Sequence, residues 1–307
     1  MLLPVVMPNA IVIAGPTASG KSALALTLAE KLGGEIINAD AMQVYRDLRI
    51  LTARPTEAEE GMVPHHLYGV ADGADAWSAG RFAREAAKVV EDIAARGKVP
   101  IVVGGTGLWL KALTVGLSPI PPVPDEVQAE AAARLLEVGM DSFREEVLAN
   151  DPAMAALKPM DRQRHLRSWS VYRTTGKPLS EWQAEPPQPV TDIPFNGYVL
   201  CPPREQLYDQ CNTRFEKMVE IGALEEVRGL RQRALPDHLP VMKAVGGPEL
   251  TSYLAEDMSL PEAIAAAQQA TRRLAKRQMT WFRGQAGDWP VFETGKGIIE
   301  MACKAVP

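Results

Sequence analysis

At 307 residues the chain is long enough for one large core, or for a core with a smaller domain. Its 46% apolar and 23% charged residues are ordinary for a soluble globular protein. No apolar run approaches the roughly 18 residues that span a bilayer, so a membrane helix is excluded. A net charge of −5 argues against a generally basic nucleic-acid coat but leaves local patches open. Cys201, Cys211 and Cys303 form no C-x-x-C pair, which argues against a zinc site or a disulfide framework and fits a reducing cytoplasm.

The opening MLLPVVMPNAIVIAG lacks a basic n-region and is broken by Pro4, Pro8 and Asn9. It reads as a first strand rather than a signal peptide. The apolar run Ala10–Ala14 leads straight into Gly15, Pro16, Thr17, Ala18, Ser19, Gly20, Lys21 and Ser22, which fit the phosphate-loop pattern G-x-x-x-x-G-K-[ST]. Glycines let the backbone approach an anion closely. The loop N–H groups and the N-terminus of the following helix, Ser22 to Leu32, supply positive potential, and Gly33-Gly34 stops that helix. Lys21 adds a point charge, and the Ser22 hydroxyl can hold Mg²⁺. The motif does not say which polyphosphate binds.

Glu35 to Ala39 reads as a second strand, with Asp40 at its carboxyl end. That is where ligands bind in open α/β sheets, although spacing alone leaves a turn-forming Asp equally open. A polar, loop-like stretch then runs through Pro64-His65-His66. With no third ligand in view, the two histidines read as structural rather than metal-binding. Ser78 caps a helix over Ala79 to Arg96 that Gly97 closes. Val99 to Val103 is a strand ending in a second glycine-rich turn, Gly104-Gly105-Thr106-Gly107, where Thr106 can face a ligand.

Two proline clusters follow, Pro119 to Pro124 and Pro186 to Pro194. Between them only helices are predicted: Asp125 to Val138, Asp141 to Asn150 and Asp161 to Thr175. Tyr198 to Cys201 resumes the strand pattern. Helices are expected over Arg204 to Ile221, Leu224 to Arg233, and from the capping box Ser259–Glu262 to about Arg283, before a last short strand at Val291–Glu293. Strands alternating with helices imply an α/β fold: a P-loop NTPase-like parallel sheet flanked by helices, with an inserted all-helical domain. The expected division is a core of 1–118 and 190–307 with an insertion of 119–189.

Two basic stretches stand out on this acidic chain. Residues 158–177 carry six cations against the single acid Asp161, and 272–283 carry five with none. Trp169, Tyr172, Trp281 and Phe282 are interleaved. Either stretch alone could be a solvated helix face. One RNA touching both would pair its phosphates with the cations and its bases with the rings.

Together these motifs resemble the bacterial tRNA dimethylallyltransferases, also called tRNA isopentenyltransferases. The resemblance runs from about Ile11 to Arg283 and includes GPTASGKS (15–22), INADAMQVYR (37–46), TARP (52–55), PHHL (64–67), VGGTGLWLKAL (103–113), TTGKPLS (174–180), LYDQCNTRFEKM (207–218), GALEEVRGL (222–230) and TRRLAKRQMTWFR (271–283). It implies a reaction: a dimethylallyl group moves from dimethylallyl diphosphate to N6 of the adenosine 3′-adjacent to the anticodon in tRNA. The phosphate loop would then hold diphosphate rather than ATP. Catalytic roles fall to Asp40 as general base and to Thr17, Lys21, Thr106 and Arg214 around the leaving group, with Mg²⁺ on Ser22. The family pattern gives Asp40, Ala41, Met42, Gln43 and Thr106 as tRNA contacts. It adds Gln163, Arg164, His165, Leu166 and Arg167; Val241, Met242, Lys243, Ala244, Val245 and Gly246; and Lys276, Arg277, Gln278, Met279, Thr280, Trp281, Phe282 and Arg283. A monomeric cytoplasmic enzyme is expected, with no membrane partner. Asn38 and Ala41 stand where the family usually has serines, and Gly247-Pro248 where it has Tyr-Lys. The rival expectation is a small-molecule kinase on the same loop, which would not need the basic, helical insertion.

Overall fold

A computed structural model describes residues 8–305, so the part of the predicted first strand before Pro8 lies outside the described residues. The chain divides into two compact units, one running to Thr114 and resuming at Val190, the other Val115–Pro189.

The first unit is built on six parallel strands: β1 (Ala10–Ala14), β2 (Gly34–Asn38), β3 (His65–His66), β4 (Val99–Gly104), β5 (Phe195–Leu200) and β6 (Val291–Phe292). Their order is β3-β2-β4-β1-β5-β6. Parallel sheets are covered on both faces, so their strands read as continuous apolar runs. β1 shows the consequence: all five residues are buried, with Ala10, Val12 and Ala14 facing one hydrophobic cluster and Ile11 and Ile13 the other. One face is covered chiefly by α1 (Lys21–Leu32), the other by α3 (Ala79–Ala95) and α4 (Gly107–Thr114). On α3 the residues Phe82, Ala83, Ala86, Ala87, Val90, Ile93 and Ala94 are buried, the spacing of a single helical stripe. Phe82 stacks on Trp109 with ring centroids 4.3 Å apart.

The segment predicted as loop through His66 contains α2 (Glu57–Met62), opened by a Thr56–Glu59 capping box, and then β3. β3 has no apolar period of its own; it is held by pairing with Ile36 and Ile37. Its histidines are structural: His66 Nε2 meets Glu35 Oε2 at 2.7 Å, and His65 Nδ1 lies 2.8 Å from Val63 O. After β5 come α8 (Arg204–Glu220), α9 (Ala223–Gln232), α10 (Gly247–Leu254), α11 (Leu260–Gln285) and α12 (Gly295–Ala305), which follows β6. Ser78 caps α3 through the Arg81 N–H (3.1 Å), and the Ser259–Glu262 capping box opens α11.

The second unit is helical: α5 (Asp125–Asn150), α6 (Arg162–Thr175) and α7 (Leu179–Ala184). The two helices predicted before Asn150 are continuous apart from a break at Gly139, where φ is 76° and ψ 171°. Phe143, Val147, Val171 and Leu179 form their core. Buried Asp151 ties α7 down by accepting from Ser180 N–H (3.0 Å) and Ser180 Oγ (2.6 Å).

Candidate active site

β1, β4 and β2 are neighbours in the sheet, so three strand-end loops meet at one edge: residues 15–22, 104–107 and 39–43. This is the crevice where open α/β sheets bind ligands. The phosphate loop reaches left-handed backbone at Ala18 (φ 64°) and Gly20 (φ 87°) before α1 begins. Lys21 Nζ folds back onto Pro16 O at 3.2 Å. Burial lowers its pKa to about 8, with the Asp40 carboxylate opposing and the Arg214 guanidinium adding to the shift. Arg214 is itself pushed down by burial, and it donates to Thr17 Oγ1. Ser19 Oγ is buried with no partner among the described residues.

Asp40 is held by its neighbours. Its N–H donates to Asn38 Oδ1 (2.8 Å), Asn38 Nδ2 donates to Asp40 O (3.1 Å) and Leu67 O (3.0 Å), and Asp40 Oδ1 accepts from the Met42 N–H (2.9 Å). Asn38, one of the departures from the family pattern, therefore braces the loop. Thr106 Oγ1 accepts from the Ala41 N–H at 3.0 Å, joining the second glycine-rich turn to the Asp40 loop. Gln43 points into its own loop and donates to Thr52 O (2.8 Å) and Ala53 O (3.0 Å).

One pocket collects the polar side chains of Thr17, Asp40 and Arg214. Its apolar wall comes from Met42, Leu51, Phe215, Met218, Val245 and Leu274. Ser22 is exposed and lies outside this pocket, in a hollow with Arg54, His65 and Tyr68. The pocket wall went unread in the sequence, yet a signal was there. Cys211, Arg214, Phe215 and Met218 recur on one face of α8, and Thr271 and Leu274 on one face of α11, at helical spacing. Glu226 of α9 had no such signal. It accepts from the Arg49 N–H, the Ile50 N–H (2.9 Å) and the Leu51 N–H (2.8 Å), and so fixes the loop that contributes Leu51 and Thr52.

The other predicted contacts separate by exposure. Gln163, Arg164 and Arg167 of α6 are exposed, whereas His165 is fully buried and Leu166 packs into that unit's core. Lys243 is exposed and Met242 half-buried; Val241, Ala244 and Gly246 are buried, and Gly246 (φ 93°) has no room for a Cβ beside Phe215. On α11, Lys276, Arg277, Thr280 and Arg283 are exposed and, like Arg273, form no ion pair among the described residues. Met279 and Phe282 are buried, Trp281 packs over Gly107, and Gln278 points inward. Trp169 stacks on Phe143 and donates to Glu146. Trp169 and Phe282 thus serve their own cores, not a stacking platform for bases. Arg173 and Lys177 are paired with Glu130 and Glu185.

A phosphate loop after the central strand of a parallel sheet, with an acid and a threonine on the adjoining strand ends, defines a P-loop-like α/β protein. The sequence matches the IPP transferase family over residues 43–285 and the isopentenyl transferase family over residues 8–64. It is 52% identical over 286 residues to a tRNA dimethylallyltransferase of a Caulobacter species, covering 92% of each chain, and 51% identical over 288 residues to that of Parvibaculum lavamentivorans, covering 93% and 91%. The fold is similar to the tRNA isopentenylpyrophosphate transferase of Bacillus halodurans (TM-score 0.68, 31% identity, 97% and 96% covered). It is similar also to a eukaryotic dimethylallyltransferase acting on tRNA (TM-score 0.78, 30% identity, 96% and 78% covered). The chain belongs to the IPP transferase family.

Proposed function

We propose that this protein transfers a dimethylallyl group from dimethylallyl diphosphate to N6 of the adenosine 3′-adjacent to the anticodon in tRNA and releases diphosphate. The observation that carries this reading is one pocket with two chemistries: polar Thr17 of the phosphate loop with Arg214 and Asp40, and an apolar wall. A diphosphate head suits the first and a five-carbon tail the second. A kinase site would not need the apolar wall.

The amine is a weak nucleophile, because its lone pair is delocalised into the purine. As N6 bonds to the allylic carbon, that carbon's bond to oxygen breaks and the electron pair leaves with diphosphate. The proton lost from N6 goes to the Asp40 carboxylate, whose Oδ1 is engaged with Met42 N–H and whose Oδ2 remains for the acceptor. Lys21, Arg214, Thr17 and the N–H groups of the loop stabilise the charge that grows on the leaving group. Thr106 holds the Asp40 loop through Ala41 and keeps a hydroxyl proton for a diphosphate oxygen. The target base must leave its stack to reach this pocket. Unpaired cations on α11 and the exposed Gln163, Arg164 and Arg167 support tRNA contact on both segments.

The residues present fit Mg²⁺. Ser22 offers one exposed hydroxyl oxygen at the start of α1, and Mg²⁺ beside phosphates is ordinarily held by one or two protein oxygens with substrate oxygens and water. A phosphate oxygen held by the loop would give the buried Ser19 Oγ the partner it lacks among the described residues. When bound, the ion would neutralise charge on the diphosphate. Under this reading the protein acts as a monomer in the cytoplasm with its tRNA.

The test supplies purified protein with an anticodon stem-loop, Mg²⁺ and labelled dimethylallyl diphosphate, with ATP in a parallel reaction. Label should enter RNA at the target adenosine. ATP turnover with unlabelled RNA would sink the reading.

A further inference from the structure

The phosphate loop carries a restraint from far along the chain. The Thr17 N–H donates to Gln278 Oε1 at 2.8 Å, and Gln278 Nε2 donates to Gly105 O at 3.0 Å. One carboxamide on α11 therefore spans two strand-end loops. The seat is tight. A Cβ at Gly105 would collide with the Gln278 amide and with Gly15 O, and one at Gly107 would enter the Trp281 ring. The exposed residues of the same turns, Lys276, Arg277 and Thr280, leave Gln278 half-buried. The family pattern groups Gln278 with the tRNA contacts, but here its acceptor and one of its donor hydrogens are spent inside the protein.

We infer that Gln278 is a positioning residue for the diphosphate grip. Its carboxamide fixes the Thr17 backbone, and with it the Thr17 Oγ1 that receives Arg214, against the 104–107 turn. The carboxamide accepts from one loop and donates to the other, whereas an ionised Glu could only accept, Lys could only donate, and Met offers no donor and at most a weak acceptor. The inference rests on reading residues 15–22 as the diphosphate site.

The test separates a diphosphate role from an RNA role. Each lost hydrogen bond ordinarily weakens an equilibrium roughly two- to tenfold. Gln278→Met should weaken inorganic pyrophosphate binding in Mg²⁺ on the order of tenfold. It should raise KM for dimethylallyl diphosphate and lower kcat, while the dissociation constant for the anticodon stem-loop stays within about twofold. Arg277→Ala should show the converse, with RNA affinity falling and pyrophosphate affinity unchanged. Gln278→Asn keeps the carboxamide but is one methylene too short to span both loops, so it should reproduce the pyrophosphate defect. Unchanged pyrophosphate affinity in Gln278→Met overturns the inference, whether or not RNA affinity falls. If Gln278→Met melts early, Gln278→Asn supplies the reading, unchanged pyrophosphate affinity there overturns the inference as well, and binding is measured below either transition. Pyrophosphate binding needs no prenyl transfer. A wild-type protein that binds pyrophosphate but labels no RNA therefore fails the proposed function and leaves this inference intact.

Discussion

Raising the pH from 7 to 9 should weaken binding of an unreactive thiolodiphosphate analogue of dimethylallyl diphosphate about tenfold, through Lys21. Burial strips water from this ammonium and holds its pKa near 8, so the free protein is mostly charged there at pH 7 and mostly neutral at pH 9. A bound diphosphate restores the proton, because the anion beside Lys21 favours the charged form. If only the charged form binds well, the apparent dissociation constant rises by roughly the ratio of protonated fractions, about 0.9 to 0.1. At pH 8 the complex should take up about half a proton, read by calorimetry in buffers of different ionisation enthalpy. Lys21→Met should abolish both the uptake and the pH dependence. The stability consequence has the opposite sign. Between about 8 and the ordinary 10.5, the unfolded chain binds more protons at this residue than the folded one, so ligand-free stability rises with pH in that window. Lys21→Met should accordingly be no less stable than the wild type at pH 7 while binding the analogue poorly. A flat affinity from pH 7 to 9 with no proton uptake would refute the reasoning.

Asp40→Ala should lower the single-turnover rate by about 10² to 10⁴ with tRNA affinity unchanged; a loss under about threefold removes it as the base. Arg164→Ala and Arg277→Ala should each flatten the slope of log affinity against log salt by about one contact's worth, 0.7 to 0.9, and unaltered slopes would deny phosphate contact. Glu226→Ala orphans three N–H groups at Arg49–Leu51 and should cost about 2–3 kcal/mol in denaturant unfolding. It should also raise KM for the diphosphate substrate, because Leu51 and Thr52 line the pocket. Arg96, with His66 adding, holds the Glu35 carboxyl down at about 2. Its contribution is present above the ordinary 4.5 and is lost as pH falls towards about 2, so Glu35→Gln should flatten the acid limb of the stability curve.

The sheet was legible because its signals are local. AIVIA, EIIN and VPIVV are short apolar runs, each ending at a chemically loaded turn, and Ser78 and Ser259–Glu262 announce their helices. Elements defined by their partners were harder to read. β3 exists through Ile36 and Ile37, and α10 and α12, for which no element was predicted, begin at glycines. The site divides in the same way. Lys21, Ser22 and Asp40 stand out through motif and strand-end position. Gln278 and Glu226 act on residues far away in sequence, and no spacing rule reaches them. Trp169 and Phe282 looked like platforms for bases because composition cannot tell which face of a helix a ring takes; packing turned both inward.

The strand order also governs the timing of synthesis. β1 lies between β4 and β5, so one of its edges stays unpaired until Phe195–Leu200 has left the ribosome. At 5–20 residues per second that wait is roughly ten to forty seconds. The helical segment 115–189, whose core is made of its own residues, can fold during the delay. The clasp at Gln278 comes later still, so the phosphate loop waits 261 residues for its last tie. A nascent chain stalled before α11 would expose a glycine-rich loop and an open strand edge together, and that is the stage at which this protein most needs a chaperone.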